Sequence, residues 1–116
     1  VCSSDLIEAT IQTDKTGAVS DAIKDLVGGF TILEGNGRGS GKRQEIRSGR
    51  GTGSFTAEYN KVASITTIVD DSEVEKVSSA IASAAFTGKG GDGIIIVTNV
   101  ESALNIASKK TGSEAL

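Results

Sequence analysis

Apolar and polar residues alternate along four stretches of the chain, and this alternation predicts β-strands. Apolar positions recur at every second residue over 7–12, which predicts a half-buried first strand. Residues 30–34 predict a short second strand. The runs 62–69 and 94–97 are rich in β-branched residues and predict a third and a fourth strand.

Two other stretches repeat their apolar residues every three to four positions, which is typical of helices packed on one face. The first covers 14–27 and is expected to end at the glycine pair 28–29. The second covers 74–85, and residues 72–75 read as a capping box at its start. Residues 100–107 predict a short appended element of one or two helical turns.

The order strand–helix–strand, repeated once, predicts an α+β fold of the ferredoxin-like βαββαβ type. Its four antiparallel strands form one sheet, and both helices lie on the same face of that sheet. A chain of 116 residues with 3% aromatic residues builds a thin aliphatic core within one domain. Because the second sheet face stays uncovered, self-association is the simplest way to bury it.

The first six residues are set apart from the rest. They read like the translated end of a sequencing adapter, and the clean alternation begins only at Ile7. We therefore expect residues 1–6 to be non-native and the domain to span 7–116. The alternative is a genuine polar N-terminal tail.

Composition argues against most enzyme classes. The chain has no His and a single Cys, so zinc sites and the usual nucleophile–base pairs are not available. We expect a protein that is not an enzyme. With no run of membrane-spanning length and no disulfide framework, the sequence favours a cytoplasmic protein without membrane insertion.

Residues 38–60 form a long glycine-rich segment with its own charge. Five Arg or Lys residues against two Glu residues give it a net charge of +3, whereas the whole chain carries −3. The basic side chains are Arg38, Lys42, Arg43, Arg47 and Arg50. Such a segment on an acidic body indicates a loop that docks on a partner, and the alternative is a solvated loop without one.

Residues 87–93 read Thr-Gly-Lys-Gly-Gly-Asp-Gly and hold four glycines. A run of this kind bends the backbone so that several N–H groups face one point, which is the geometry that cradles phosphate. Residues 35–38 read Gly-Asn-Gly-Arg and supply a second such turn. Each turn alone is a weak signal, and neither matches a Walker pattern. Facing each other across a subunit interface, the two turns are expected to clamp a nucleotide phosphate chain.

These pieces together resemble the P-II nitrogen-regulatory signal proteins, in the order and spacing of that family. The resemblance covers the native residues from Ile7 to Leu116 and rests on residues 7–9, 35–38, 61–62, 70–71, 87–93 and 111–116. In the family's terms, 38–60 is the T-loop, 87–93 the B-loop and 108–116 the C-terminal tail.

The resemblance implies a homotrimer that binds ATP or ADP in clefts between subunits. It further implies that the T-loop controls a target protein, such as an ammonium transporter or a nitrogen-assimilation enzyme. Carried over by position, one subunit contributes Gly35, Gly37 and Arg38, and its neighbour contributes Thr87, Gly88, Lys89, Gly91, Asp92 and Gly93. Lys61 matches the lysine that pairs with a 2-oxoglutarate carboxylate.

The chain also departs from the family pattern. Ile94, Asn105 and Ala107 stand where the family usually has basic residues, and Gly39 stands where it has a glutamine. A charge-assisted phosphate contact contributes about 1.5–3 kcal/mol, so losing several weakens triphosphate binding. These departures put Mg and 2-oxoglutarate in doubt as ligands.

Two alternative functions follow. The first is a P-II-like trimer that docks on a target with weak or lost nucleotide and 2-oxoglutarate binding. The second is an RNA-binding βαββαβ module. The second is disfavoured because the middle strands carry no aromatic residue for base stacking and because the chain is acidic. We therefore expect no nucleic acid among the partners.

Overall fold

The computed structural model describes residues 3–39, 45–47, 54–56 and 59–116. Six strands and two helices make up this part of the chain. In chain order they are β1 (Ser4–Gln12), α1 (Thr16–Ile23), β2 (Thr31–Gly37), β3 (Glu45–Arg47), β4 (Ser54–Thr56), β5 (Asn60–Asp70), α2 (Val74–Ala85) and β6 (Gly93–Asn99). Short 3-10 turns precede α1 and α2, and a third lies at the C-terminal end.

Four strands form one antiparallel sheet in the order β2-β5-β1-β6. β1 is central: Ile7 pairs with Thr67 of β5 on one side and with Val97 of β6 on the other. Both helices pack against the same face of this sheet, where the core lies. The predicted ferredoxin-like α+β fold is therefore confirmed.

The core is aliphatic and follows the alternation of the strands. Every second residue of β1 and β5 is buried against the helices, as period-two side chains must be. The fully enclosed side chains are Ile7, Ala9, Val19, Ile23, Ala63, Ile65, Val77 and Ile81. No fully enclosed core side chain is larger than isoleucine.

The second face of the sheet, which we call the open face, carries exposed aliphatic side chains. Leu33 is 67% exposed, Ile94 60% and Ile96 45%. Register places Ile94 beside Thr10 and Ile96 beside Glu8, on the side of the sheet opposite the buried residues of β1. An aliphatic area spread over β2 and β6 is typical of a surface that another chain covers.

The first strand begins earlier than expected. β1 starts at Ser4, which pairs with Asp70. The Asp71 N–H donates to the Ser3 carbonyl at 2.8 Å, and the Val100 N–H donates to the Ser4 carbonyl at 3.0 Å. Excluding residues 3–6 from the fold was therefore wrong, because β-ladder pairing continues through them. Residues 1–2 lie outside the described residues, and the origin of 1–6 stays a prediction.

α1 is shorter than expected, whereas α2 spans the predicted residues 74–85. α1 ends at Ile23, since the Leu26 and Val27 N–H groups both donate to the Ile23 carbonyl and tighten the last turn ahead of the glycines. α2 follows a 3-10 turn, Asp71–Glu73, and no side-chain hydrogen bond caps either start. The capping box expected at 72–75 is therefore wrong.

The segments 38–60 and 100–107 also differ. β2 continues to Gly37 and β5 begins at Asn60, while Glu45–Arg47 pairs with Ser54–Thr56 as a two-stranded ribbon within the long loop. Lys42, Arg43 and Arg50 lie outside the described residues, and Arg47 is described by its backbone alone. Residues 100–107 form turns instead of a helix, closed by a bridge between Leu104 and Thr111.

No helix in the described residues combines the length and the apolar composition needed to cross a bilayer.

Gly93 offers a direct test of the pairing between β1 and β6. Its φ is +125°, and a Cβ at this position would lie 2.0 Å from the Thr10 carbonyl oxygen. We expect Gly93→Ala to lower the free energy of unfolding by about 2–4 kcal/mol in urea denaturation. The matched control is Gly90→Ala, which meets nothing within 4 Å and should change the stability by less than about 0.5 kcal/mol. Equal stability of the two variants would contradict this packing.

Candidate functional site

The two glycine-rich turns meet at one end of the sheet. Ile11 pairs with Gly93, and Gly37 pairs with Asn60, so the ends of β1 and β2 lie beside the starts of β5 and β6. An open cavity of about 610 Å³ lies between them. It is lined by Thr10, Ile11, Gly37, Arg38, Gly39, Asn60, Val62, Lys89, Gly91, Asp92, Gly93 and Ile94.

Asp92 organises the glycine loop at 87–93. Its carboxylate accepts hydrogen bonds from the Thr87 N–H at 2.8 Å, the Gly88 N–H at 3.1 Å and the Thr87 hydroxyl. The Lys89 N–H in turn donates to Thr87 Oγ1 at 3.2 Å. The carboxylate therefore closes the loop on itself, and it is already satisfied before any ligand binds.

These hydrogen bonds shift the acidity of Asp92. The Thr87 hydroxyl lowers the pKa of the Asp92 carboxyl below its usual value, and the Thr87 and Gly88 N–H groups and the charge of Lys15 act in the same direction. Asp92 is thus a carboxylate at neutral pH and holds one negative charge at the rim of the cavity.

The loop is also tied to the sheet. Gln12 Nε2 donates to the Gly91 carbonyl at 3.0 Å, and Gly91 has a φ of +92° that a side chain would disfavour. Gln12 is the last residue of β1. One strand therefore both pairs with the strand that follows the loop and fixes the loop above it.

The cavity presents positive groups and an unused donor. Arg38 enters from the end of β2 and Lys89 from the glycine loop. Within the described residues, the N–H group of Gly91, which lines the cavity, makes no hydrogen bond. Two cations beside a turn N–H group form a site that can hold an anion of phosphate size.

The predicted site residues divide into two groups. Gly37, Arg38, Lys89, Gly91, Asp92 and Gly93 line the cavity. Thr87 and Gly88 instead hold Asp92, and Gly35 lies within β2 opposite Val62. The two turns meet within a single chain, which corrects the expectation that they face each other from neighbouring subunits.

Lys61 is not brought into the cavity. Its neighbours Asn60 and Val62 line the cavity, whereas Lys61 pairs with Asn36. Successive side chains of a strand point to opposite faces, so Lys61 lies on the other side of β5 from Val62.

Several residues of the site were missed from the sequence. Thr10, Asn60 and Val62 line the cavity, and Gln12 anchors the loop. The alternation placed Thr10 and Gln12 on the polar face of β1. The sequence does not reveal the register of β1 with β6, and this register brings the polar face of β1 to the glycine loop.

Asn105 has a structural part in the C-terminal segment. Its side-chain oxygen accepts from the N–H groups of Ala107 and Ser108, both at 3.1 Å, and its amide nitrogen donates to the Ala115 carbonyl at 3.2 Å. Ser113 donates to the Asp70 carboxylate at 2.7 Å and ties the segment to β5. Asn105, which stands where the family usually has a basic residue, therefore organises a turn.

Comparison with known proteins decides the family. The family model for nitrogen regulatory protein P-II matches residues 4–110. The chain belongs to the P-II family. It is 33% identical over 114 residues to nitrogen regulatory protein GlnK2 of Haloferax mediterranei, covering 96% of this chain and 89% of the relative. It is also 33% identical over 112 residues to nitrogen regulatory protein P-II of Azospirillum brasilense, covering 95% and 97%.

A solved structure of the family shares the fold. The crystal structure of Arabidopsis thaliana PII bound to citrate superimposes with a TM-score of 0.76 at 22% identity, covering 99% of this chain and 94% of the plant protein. Together with the family match, this makes the P-II protein described here a nitrogen-regulatory signal protein, that is, a regulator.

Thr87→Val tests the hydrogen bonds that hold Asp92. Because the Thr87 hydroxyl is the main cause of the lowered pKa, its removal should raise the pKa of Asp92 toward the usual value. Carboxyl carbon shifts followed by NMR as the pH falls would show a higher titration midpoint for Asp92 in the variant. Thr98→Val, on an exposed position of β6, is the matched control and should leave the midpoint unchanged.

The same interaction predicts an effect of acid on stability. A carboxyl whose pKa is lowered by folding stabilises the folded state above its unfolded pKa and loses that effect as the pH falls through the folded pKa. As the pH falls from above the unfolded pKa of Asp92 to below its folded pKa, the free energy of unfolding should therefore decrease more in wild type than in Thr87→Val. An unchanged midpoint in Thr87→Val would contradict the geometry of the loop.

Proposed function

We propose that this P-II protein binds an adenine nucleotide, ATP or ADP, in the cavity between its two glycine-rich turns and controls a target protein through residues 38–60. The observation that carries the proposal is that Arg38 and Lys89 line one cavity together with Gly91, Asp92 and Gly93 of the glycine loop. Phosphate recognition by proteins relies on this combination of cations and turn amides.

The size and lining of the cavity support a nucleotide. A cavity of about 610 Å³ is within the usual range for small-molecule sites. Apolar side chains of Val62 and Ile94 lie beside the polar groups and give a base or sugar a surface to pack on. An anionic ligand also agrees with the citrate bound by the plant protein of the same fold.

A homotrimer is the proposed assembly. The exposed aliphatic residues of the open face, Leu33, Ile94 and Ile96, need a covering surface, and three copies of one face can bury each other around an axis. Ile94 belongs both to this face and to the cavity. The cavity then lies next to the interface, so ligand binding and subunit contacts influence one another.

The long loop is the proposed contact with a target such as an ammonium transporter or a nitrogen-assimilation enzyme. Residues 38–60 carry +3 against −3 for the whole chain, which favours an anionic surface on the partner. Arg38 and Gly39 begin the loop and also line the cavity. A ligand that contacts Arg38 therefore acts directly on the base of the loop.

The proposal is confined to the nucleotide as ligand. Lys61, the candidate for a 2-oxoglutarate carboxylate, does not line the cavity, and Gly39 brings no side chain to it. The proposed binding of ATP or ADP rests on Arg38, Lys89 and the glycine loop alone, with no contribution from Mg or 2-oxoglutarate.

Calorimetric titration with ATP and ADP tests the nucleotide site. We expect binding by wild type and a loss of affinity of about tenfold or more in Arg38→Ala and in Lys89→Ala, because each removes a charge-assisted contact. Lys76→Ala is the matched control, since Lys76 is exposed on α2 and does not line the cavity.

The outcomes separate the rival functions. Heat with neither nucleotide would refute the proposal and favour a docking module without nucleotide control. Binding that is equally tight in all three variants would show that the nucleotide occupies another site. A salt-sensitive complex with RNA in place of nucleotide would revive the RNA-binding alternative.

Ile96→Asp tests the assembly. A charge on the open face should disfavour its burial and release monomers of 11.8 kDa in light scattering, whereas wild type should have three times that mass. Ser79→Asp, exposed on α2, adds the same charge on the helical face and should leave the mass unchanged. A wild-type monomer would contradict the proposed trimer.

A further inference from the structure

A second cavity, of about 370 Å³, lies between the end of α2 and the start of β6, and we call it the helix-side cavity. Ala82, Ala85 and Phe86 line it from α2, and Ile95 lines it from β6. Because α2 covers one face of the sheet, this cavity lies on that face. Val62 of the proposed nucleotide cavity lies on the open face instead, since its neighbour in β5 is buried against the helices.

The helix-side cavity has a mainly apolar wall and one charge. In the part of the chain that the structure describes, Asp92 is the only charged residue that lines it. Asp92 is ionised at neutral pH, since the hydrogen bonds from Thr87 and Gly88 favour its carboxylate form. Lys15 acts on Asp92 electrostatically from outside this cavity. The lining is therefore negative, in contrast to the nucleotide cavity with its two cations.

The C-terminal end of α2 adds a second electronegative group. In α1 the residue after the helix donates its N–H back to the last turn. After α2 the backbone at Phe86 is extended, and the N–H groups of Thr87 and Gly88 donate to the Asp92 carboxylate instead of to helix carbonyls. The last turn of α2 has no basic residue either. The carbonyl end of the helix, which carries the negative end of its dipole, is therefore left open beside the cavity.

Phe86 gives the helix-side cavity an aromatic wall. Its side chain lines the cavity and is 71% exposed. A Cβ on Gly88 would lie 3.5 Å from Phe86 Cζ, so the ring lies against the glycine loop. The face of an aromatic ring attracts cations, and Ile81 and Ile95 supply aliphatic surface beside it. A carboxylate, an open helix end and an aromatic ring around an apolar cavity favour a ligand with a cationic head and an apolar body.

We propose that the helix-side cavity is a second binding site, which takes small primary amines with an apolar body. The ammonium group lies between the Asp92 carboxylate and the open end of α2, where its N–H donors find acceptors. The apolar body packs on Phe86 and the aliphatic wall. The body of the chain attracts such a cation, because the whole chain carries −3 although residues 38–60 carry +3. The site goes beyond the proposed nucleotide site and depends on neither of its two cations.

Titration of the full chain at neutral pH with three probes of similar size, followed by amide shifts in NMR, tests the class of ligand. The probes are the cation phenethylamine, the neutral phenethyl alcohol and the anion phenylacetate. Phenethylamine should bind at least about fivefold more tightly than the alcohol, because only the cation gains from the carboxylate, the helix end and the ring. Phenylacetate should bind more weakly than either. Equal affinity for the amine and the alcohol, or no binding of the amine, would overturn the proposal.

Ala82→Leu locates the site. Ala82 is exposed on α2 and lines the cavity, so a leucine there fills part of the cavity without entering the core. The affinity for phenethylamine should fall about tenfold or more, since the larger side chain takes the space of the ligand. Ser83→Leu is the matched control: Ser83 is exposed on the same turn but does not line the cavity, and the affinity should stay within about twofold. Unchanged binding in Ala82→Leu would refute this location.

Phe86→Leu decides the proposal if Ala82→Leu fails to fold. Phe86 is exposed, and leucine keeps an apolar side chain while removing the ring. The preference for phenethylamine over phenethyl alcohol should fall at least about twofold, because the cation loses its contact with the ring face. An unchanged preference would contradict a cation site beside Phe86. Circular dichroism on each variant establishes that the fold is kept.

Discussion

The close packing of Gly93 on the β1 backbone is the constraint on which the rest of the site depends. Its position leaves no room for a side chain beside the Thr10 carbonyl, and its φ of +125° lets the chain turn from the glycine loop directly into β6. The residue before it, Asp92, holds the loop closed through Thr87 and Gly88. The residue after it, Ile94, faces the cavity. The packing of Gly93 on the β1 backbone thus positions the Asp92 carboxylate, the glycine loop and the apolar side chain of Ile94.

The fold was predictable because its signals are local. Alternation over β1 and β5 and the three-to-four spacing over α1 and α2 follow from which face of each element is buried. The boundaries were less predictable. The ladder at Ser4 and the tightened turn after Ile23 depend on hydrogen bonds to residues that the periodicity does not identify.

The site was predictable in part for the same reason. The two glycine-rich turns can be recognised from their composition. Their meeting within one chain depends on the register, which pairs Ile11 with Gly93 and Gly37 with Asn60. Asp92 lines the cavity as expected, and its carboxylate is at the same time engaged by its own loop, which the sequence did not indicate. Lys61 lies outside the cavity because alternate residues of β5 lie on opposite faces of the sheet. A change of register by one residue would exchange those faces, and the sequence alone does not fix the register.

The most direct measurement of the central claim, that one chain supplies both turns of its nucleotide site, mixes two defective subunits. Arg38→Ala and Lys89→Ala proteins are unfolded together, refolded and titrated with nucleotide. If both turns belong to one chain, every cavity in a mixed trimer keeps one defect, and the mixture binds as weakly as its components. If the turns face each other across an interface, some clefts regain both cations, and recovered tight binding would contradict the account.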